Sequence, residues 1–178
     1  MHTTLDAISG AVPMPFAGVD DGLAWHYGDP FAEQRLLAAG HGSVDLSNRG
    51  VITISGAERL VFLNSLTTQA MDSMTPGSSV LTLDLSMNGF VLHELHVVDD
   101  GETAWVTCEP SSTAELMTYF MRMKFRMLLE IEDVTQQWAV VFQPVAQAHP
   151  QYLTWVSPQT DRWAAREVLV PRADVASV

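Results

Sequence analysis

The chain has 178 residues, 47% of them hydrophobic and 17% charged, with five Trp, a globular composition with room for one substantial domain. Its formal net charge of −12 argues against nucleic acid and anionic membranes as partners, because both require a cationic face. No apolar run approaches the ~18 residues of a membrane helix and no leader opens the sequence, so a cytoplasmic protein is expected, with the one cysteine, Cys108, fitting a reducing compartment.

Residues 1–28 hold Pro13, Pro15 and several Gly without periodicity, which reads as an N-terminal arm anchored by Trp25, His26 and Tyr27. The single domain then spans 29–178. Asp29-Pro30 predicts a helix start, an N-cap carboxylate followed by a proline whose missing N–H costs nothing there. The helix should cover Phe31 to Ala39 with Leu36 and Leu37 inward, ending at Gly40. The stretch from Ser43 to Gln69 organises the chain as two strands and a helix. Val51, Ile52 and Ile54 are strand chemistry, Gly56 closes the strand, and Leu60, Leu63 and Leu66, widened by Val61 and Phe62, predict a helix over Ala57 to Leu66.

A turn at Met74-Thr75-Pro76-Gly77 leads into an antiparallel meander: Val80 to Leu85, Phe90 to Val98 and Ala104 to Cys108. Met87-Asn88-Gly89 and a solvated Asp99-Asp100-Gly101 supply its turns. Ser112 and Glu115 form a capping box, and Leu116, Tyr119, Phe120 and Met123 trace the apolar face of a helix that ends in Lys124, Phe125 and Arg126, cations where the helix dipole favours them. Met117, Met121, Met123 and Met127 read as helix core. Strands follow at Leu129 to Val134 and Trp138 to Phe142, then a loop-rich region punctuated by Pro144, Pro150 and Pro158, and a last strand at Glu167 to Val170.

The sequence echoes itself. Asp45-Leu46-Ser47 followed by Val51-Ile52-Thr53-Ile54 aligns without a gap onto Asp133-Val134-Thr135 followed by Ala139-Val140-Val141-Phe142, and Leu81-Thr82-Leu83 with Val97-Val98 matches Leu153-Thr154-Trp155 with Leu169-Val170. Two echoes in one order suggest a duplicated α+β unit, each copy burying an apolar face against the other. Unrelated amphipathic strands are the alternative, since strand alternation produces such matches freely. If the second unit copies the first, its closing helix should begin about where this sequence ends, so an incomplete second unit, as in a truncated chain or gene fragment, is expected.

His93-Glu94-Leu95-His96 invites a metal reading, but on a strand His93 and His96 face opposite ways, so no metal site is expected. In the plainest account Glu94 and His96 face solvent and His93 is a satisfied core histidine beside Leu95 and Val97. Cys108 has no activating base nearby and reads as a buried structural thiol. No phosphate loop, nucleophile elbow or dinucleotide fingerprint occurs.

Val44-Asp45-Leu46-Ser47, Val51 to Gly56, Ala57, Phe62-Leu63, Leu66-Thr67, Gly89 with its strand, and Arg122-Met123-Lys124-Phe125-Arg126 together resemble the T-protein (aminomethyltransferase) family of the glycine cleavage system and, more closely, its YgfZ-type folate-binding relatives. The resemblance fades beyond about Phe142. It implies an α+β folate-binding domain of duplicated strand-strand-helix-three-strand-helix units with antiparallel sheets, tetrahydrofolate as cofactor, and a site that includes Glu94, His93, Leu66 and Cys108. The family's acidic pair falls on His93-Glu94, so the first acid is absent, and its strand-end asparagine falls on Cys108. YgfZ-type proteins support iron–sulfur cluster assembly or repair, which implies iron–sulfur proteins as partners; their late Lys-Gly-Cys motif lies beyond this sequence, and Cys108 is not its equivalent. A folate-binding protein without transferase activity is thus expected first, an aminomethyltransferase second, and a purely structural or protein-binding α+β module third.

Overall fold

A computed structural model describes residues 10–16, 18–20, 23–144, 151–157 and 165–177. In chain order its elements are β1 (Val12–Pro13), β2 (Ala24–His26), α1 (Pro30–Ala38), β3 (Val44–Asp45), β4 (Gly50–Ser55), α2 (Arg59–Leu66), β5 (Ser79–Leu85), β6 (Val91–Asp99) and β7 (Thr103–Cys108). These are followed by α3 (Thr113–Met123), β8 (Glu130–Asp133), β9 (Trp138–Pro144), β10 (Leu153–Val156) and β11 (Ala165–Pro171). Short 3₁₀ turns cover Pro110–Ser112 and Arg172–Ser177. No described helix is long and apolar enough to cross a membrane.

The fold is α+β. One sheet of five strands runs β5-β6-β7-β4-β8, a second of four runs β10-β11-β9-β3, and every pairing is antiparallel. Strand β4 lies between β7 and β8 and is buried on both faces. Ile52 and Ile54 join Leu95, Val97, Ala104 and Val106 in a core covered by α2 and α3, whose Phe62 and Phe120 meet edge to face at 5.7 Å. Val51 turns the other way and packs with Val98 against Val140, Trp155 and Leu169 of the second sheet. The two sheets are thus stacked, with the helices outside the first. At one corner Trp155 donates its indole N–H to the Val80 carbonyl at 3.0 Å, closing the β5 edge onto β10.

The echo around Asp45 and Asp133 has a structural counterpart. Strand β3 leaves the first half to pair with β9, and β8 leaves the second half to pair with β4. The turns that follow also match: Asp45 accepts from Ser47 N–H at 2.7 Å and Asp133 from Thr135 N–H at 3.0 Å, while Arg49 N–H reaches Leu46 O and Gln137 N–H reaches Val134 O, both at 2.9 Å. Arg172 grips both turns, donating to Thr135 O at 2.7 Å and Ser47 O at 2.6 Å. The second echo does not hold in the same way. It sets β5–β6 onto β10–β11, whereas the sheet order makes β11, beside β9, the counterpart of β7, beside β4. Alternation in hairpins had produced a match one strand out of place.

Several local expectations need correction. Asp29 does cap α1, accepting from Phe31 and Ala32 N–H at 3.0 Å, but no residue of that helix is buried and Leu36 is exposed. Trp25 is exposed, and Leu23 is the buried residue beside it. Helix α2 starts two residues later than the apolar stripe implies, after Gly56, whose φ of 124° and close approach to Leu128 O, 2.6 Å from an added Cβ, suit glycine alone. Val61 is exposed, and the buried residues of α2 are Phe62, Leu63 and Arg59. That guanidinium holds Asp99, whose carboxylate is fully buried at 2.6 and 2.9 Å instead of solvated in a turn. Ser112 makes no cap bond, since the Pro110–Ser112 turn already leads into α3. Met121 and Met123 are exposed; Met117 and Met127 alone of that run pack on the core. Pro150 and Pro158 lie outside the described residues.

Candidate functional site

Strands β5 and β6 place Asp84 directly opposite His93, both on the face toward α3. Immediately beyond this pair the register slips, so that Leu85 faces Val91 and Leu92 is the extra residue of a bulge. Asp84 is 4% exposed and His93 8% exposed, a costly place for two polar side chains unless something binds them. Helix α3 lays Glu115, Thr118, Tyr119 and Arg122 over the pair, the i, i+3, i+4, i+7 spacing of one helical face. With Leu85, Ser86, Met87 and Leu92 these residues line a cavity of about 560 Å³, within the size range of small-molecule sites.

The cavity is polar in a definite direction. Asp84 is buried on its floor, and loss of water pushes its carboxyl above the usual aspartate range, with Glu115 adding to the rise and His93 opposing it. His93 Nε2 lies 4.0 Å from a Glu115 carboxylate oxygen, while His93 Nδ1 has no hydrogen-bond partner among the described residues. At the rim the Arg122 guanidinium stands 5.8 Å over the Tyr119 ring. Burial, then the charge of Asp84, raise the Tyr119 hydroxyl, with Arg122 opposing. An acidic floor, an aromatic wall and a cationic rim suit a flat hydrogen-bond-donating ring that carries an anionic tail.

Of the four residues expected at the site, Glu94, His93, Leu66 and Cys108, His93 alone lines this cavity. Glu94 sits on the opposite face of β6, exposed, with its carboxylate 3.4 Å from His96 Nε2. Leu66 is half-buried against the helix-side core. Cys108 is buried beside Thr113, Sγ to Oγ1 3.7 Å, and burial pushes its thiol up to about 11. The satisfied-histidine reading of His93 fails on its unpartnered nitrogen, and the solvent-facing reading of His96 fails outright. His96 stacks on Trp155 at 3.8 Å and meets Glu167 at 2.8 Å, in a polar cluster between the sheets that Thr107 completes. Sequence reasoning missed Asp84, Glu115, Tyr119 and Arg122 as a set. The spacing on α3 was a usable signal, but the register that brings Asp84 to His93 was not.

The sequence profile of the GCVT N-terminal domain matches residues 7–147, well over half of the chain. The chain belongs to that family. Among solved structures, this GCVT N-terminal domain is similar to the glycine cleavage system aminomethyltransferase T from Bartonella henselae, with a TM-score of 0.75 at 13% identity. That alignment covers 95% of this chain and 52% of the other, so the chain spans about half the length of that protein, and at this identity the likeness is one of fold. The heterotetrameric sarcosine oxidase from Corynebacterium sp. U-96 matches with a TM-score of 0.49 at 11% identity over 80% of this chain and 85% of that one. No functionally curated protein matches the sequence.

Proposed function

We propose that this GCVT N-terminal domain binds a reduced folate, tetrahydrofolate, in the cavity between β5, β6 and α3, and that it serves iron–sulfur cluster assembly or repair as a YgfZ-type protein instead of transferring aminomethyl groups. The observation that carries the binding is the buried polar pair, Asp84 and His93, with a ring nitrogen of His93 that has no partner among the described residues. Buried polar groups are nearly always partnered, so a wall that leaves one open fits a ligand with its own donors and acceptors. Asp84 would take the donors of the pterin ring, Tyr119 would lie against its face, and Arg122 would meet the carboxylates of the glutamyl tail. The bound folate would supply ring nitrogens able to carry a one-carbon unit.

The role beyond binding follows from the resemblance and from one replacement. A histidine stands where the family pattern has the first acid of its pair, and Glu94, the remaining acid, is on the other face of the strand. With that position changed, holding the cofactor is favoured over transferring an aminomethyl group. Calorimetric titration with tetrahydrofolate should show binding that His93→Ala weakens about tenfold, the effect of losing one buried hydrogen bond. Absence of binding at high micromolar ligand would reject the reading. Formation of methylene-tetrahydrofolate from a lipoylated aminomethyl carrier would replace it with the aminomethyltransferase alternative. In cells lacking the protein, iron–sulfur enzyme activities should fall, and the His93→Ala variant should fail to restore them.

A further inference from the structure

The N-terminal arm and α1 border a second cavity, about 360 Å³, built from residues that the folate reading does not use. Asp29 caps α1, and the face made by Pro30, Glu33, Gln34 and Leu37, the i, i+3, i+4, i+7 set, turns to the cavity. Glu33 ties helix to arm by accepting the Tyr27 N–H at 2.9 Å. Three of the lining residues are aromatic: Trp25, Tyr27 and Phe31. Trp25 is 56% and Phe31 73% exposed, and no residue of α1 is buried, so these rings contribute little to the core.

The charge around the rings decides what suits them. Glu33 lines the cavity and no Lys or Arg does, in a chain of net charge −12. Burial first, then the charges of Asp45 and Glu33, push the Tyr27 hydroxyl up to about 12, so the field at that wall is negative. His26 also lines the cavity, but its Nδ1 accepts the Gly28 N–H at 3.1 Å, a role open only to an unprotonated nitrogen. The remaining basic group is the exposed His41. Anions are repelled here, and cations are drawn in.

We infer that this cavity binds a quaternary ammonium group, held by cation–π attraction to Trp25, Tyr27 and Phe31 and by the charge of Glu33. Such a cation has no N–H to satisfy, so a wall of rings costs it no hydrogen bond, whereas a primary ammonium would have to give up water. The inference stands apart from the folate reading. Two sources carry the group, a free small molecule such as choline and a trimethylated lysine in a peptide, and the experiment separates them.

The test is titration of the intact chain with choline, with its neutral tert-butyl isostere, and with a short peptide carrying trimethyl-lysine. Choline should bind about tenfold more tightly than the isostere, which has the same shape without the charge. Trp25→Leu, which keeps an apolar side chain and removes the ring, should weaken choline about tenfold. Glu33→Gln, which keeps an acceptor for the Tyr27 N–H, should weaken it about threefold. A peptide that binds more tightly than choline assigns the site to a methylated protein, and choline binding at least as tightly assigns it to a free small molecule; both support the ammonium site. Equal affinity for choline and its isostere, or choline binding that Trp25→Leu leaves intact, overturns the inference. Absence of binding by both choline and the peptide at millimolar concentration overturns it too.

Discussion

At position 84 a carboxyl group has been taken out of water, and the cost depends on pH. Because burial raises its folded pKa above the unfolded one, the native state keeps the proton longer. Stability is therefore favoured as pH falls through the folded pKa and is lost as pH rises above the unfolded aspartate range. Asp84→Asn removes the charge and keeps the shape. It should melt at a higher temperature than the parent near neutral pH, with the gap closing in acid; superimposable melting curves across that range would refute the assignment. Cys108 offers an independent check on the same principle. Its thiol is buried and pushed up to about 11, with the Thr113 hydroxyl opposing, so the nucleophilic thiolate is scarce at neutral pH. Mass spectrometry after iodoacetamide treatment should show negligible alkylation of the native protein and complete alkylation once it is denatured.

Among the elements, α3 bears the most: its inner face closes the core and its neighbouring face closes the cavity. Phe120→Ala should cost about 3–5 kcal/mol, seen as a lower denaturant midpoint with an unchanged slope, whereas Val61→Ala, on the exposed side of α2, should change stability by less than about 0.5 kcal/mol. The strands from Val80 to Cys108 were legible in sequence because alternation and Asn-Gly or Asp-Gly turns are local signals. What was not legible depends on partners distant in the chain. Leu36 looks inward on helical spacing alone but is exposed, and Asp99 looks solvated until Arg59, 40 residues away, reaches it. The site follows the same rule. His93 was found from its neighbours in sequence, while Asp84 came to it through a strand register set by a bulge, and Glu115 looked like half of a cap that the preceding proline turn makes unnecessary.

For the whole molecule, the decisive contact is Arg172, whose planar fork holds the carbonyls of Ser47 and Thr135, equivalent positions in the two halves. Replacing it with Met should cost about 2–4 kcal/mol in chemical denaturation, and Lys should recover only part of that, since an ammonium cannot match the fork. A loss below about 0.5 kcal/mol would mean that the two turns need no clasp. The crossing of β3 and β8 carries a larger consequence. Each sheet borrows a border strand from the opposite half of the polypeptide, so neither half is a module that evolution or an experimenter could detach intact. Severed in the loop between α3 and β8, the two pieces should each fail to melt cooperatively by themselves and should regain a single transition when mixed, complementing one another as two strangers that share one skeleton.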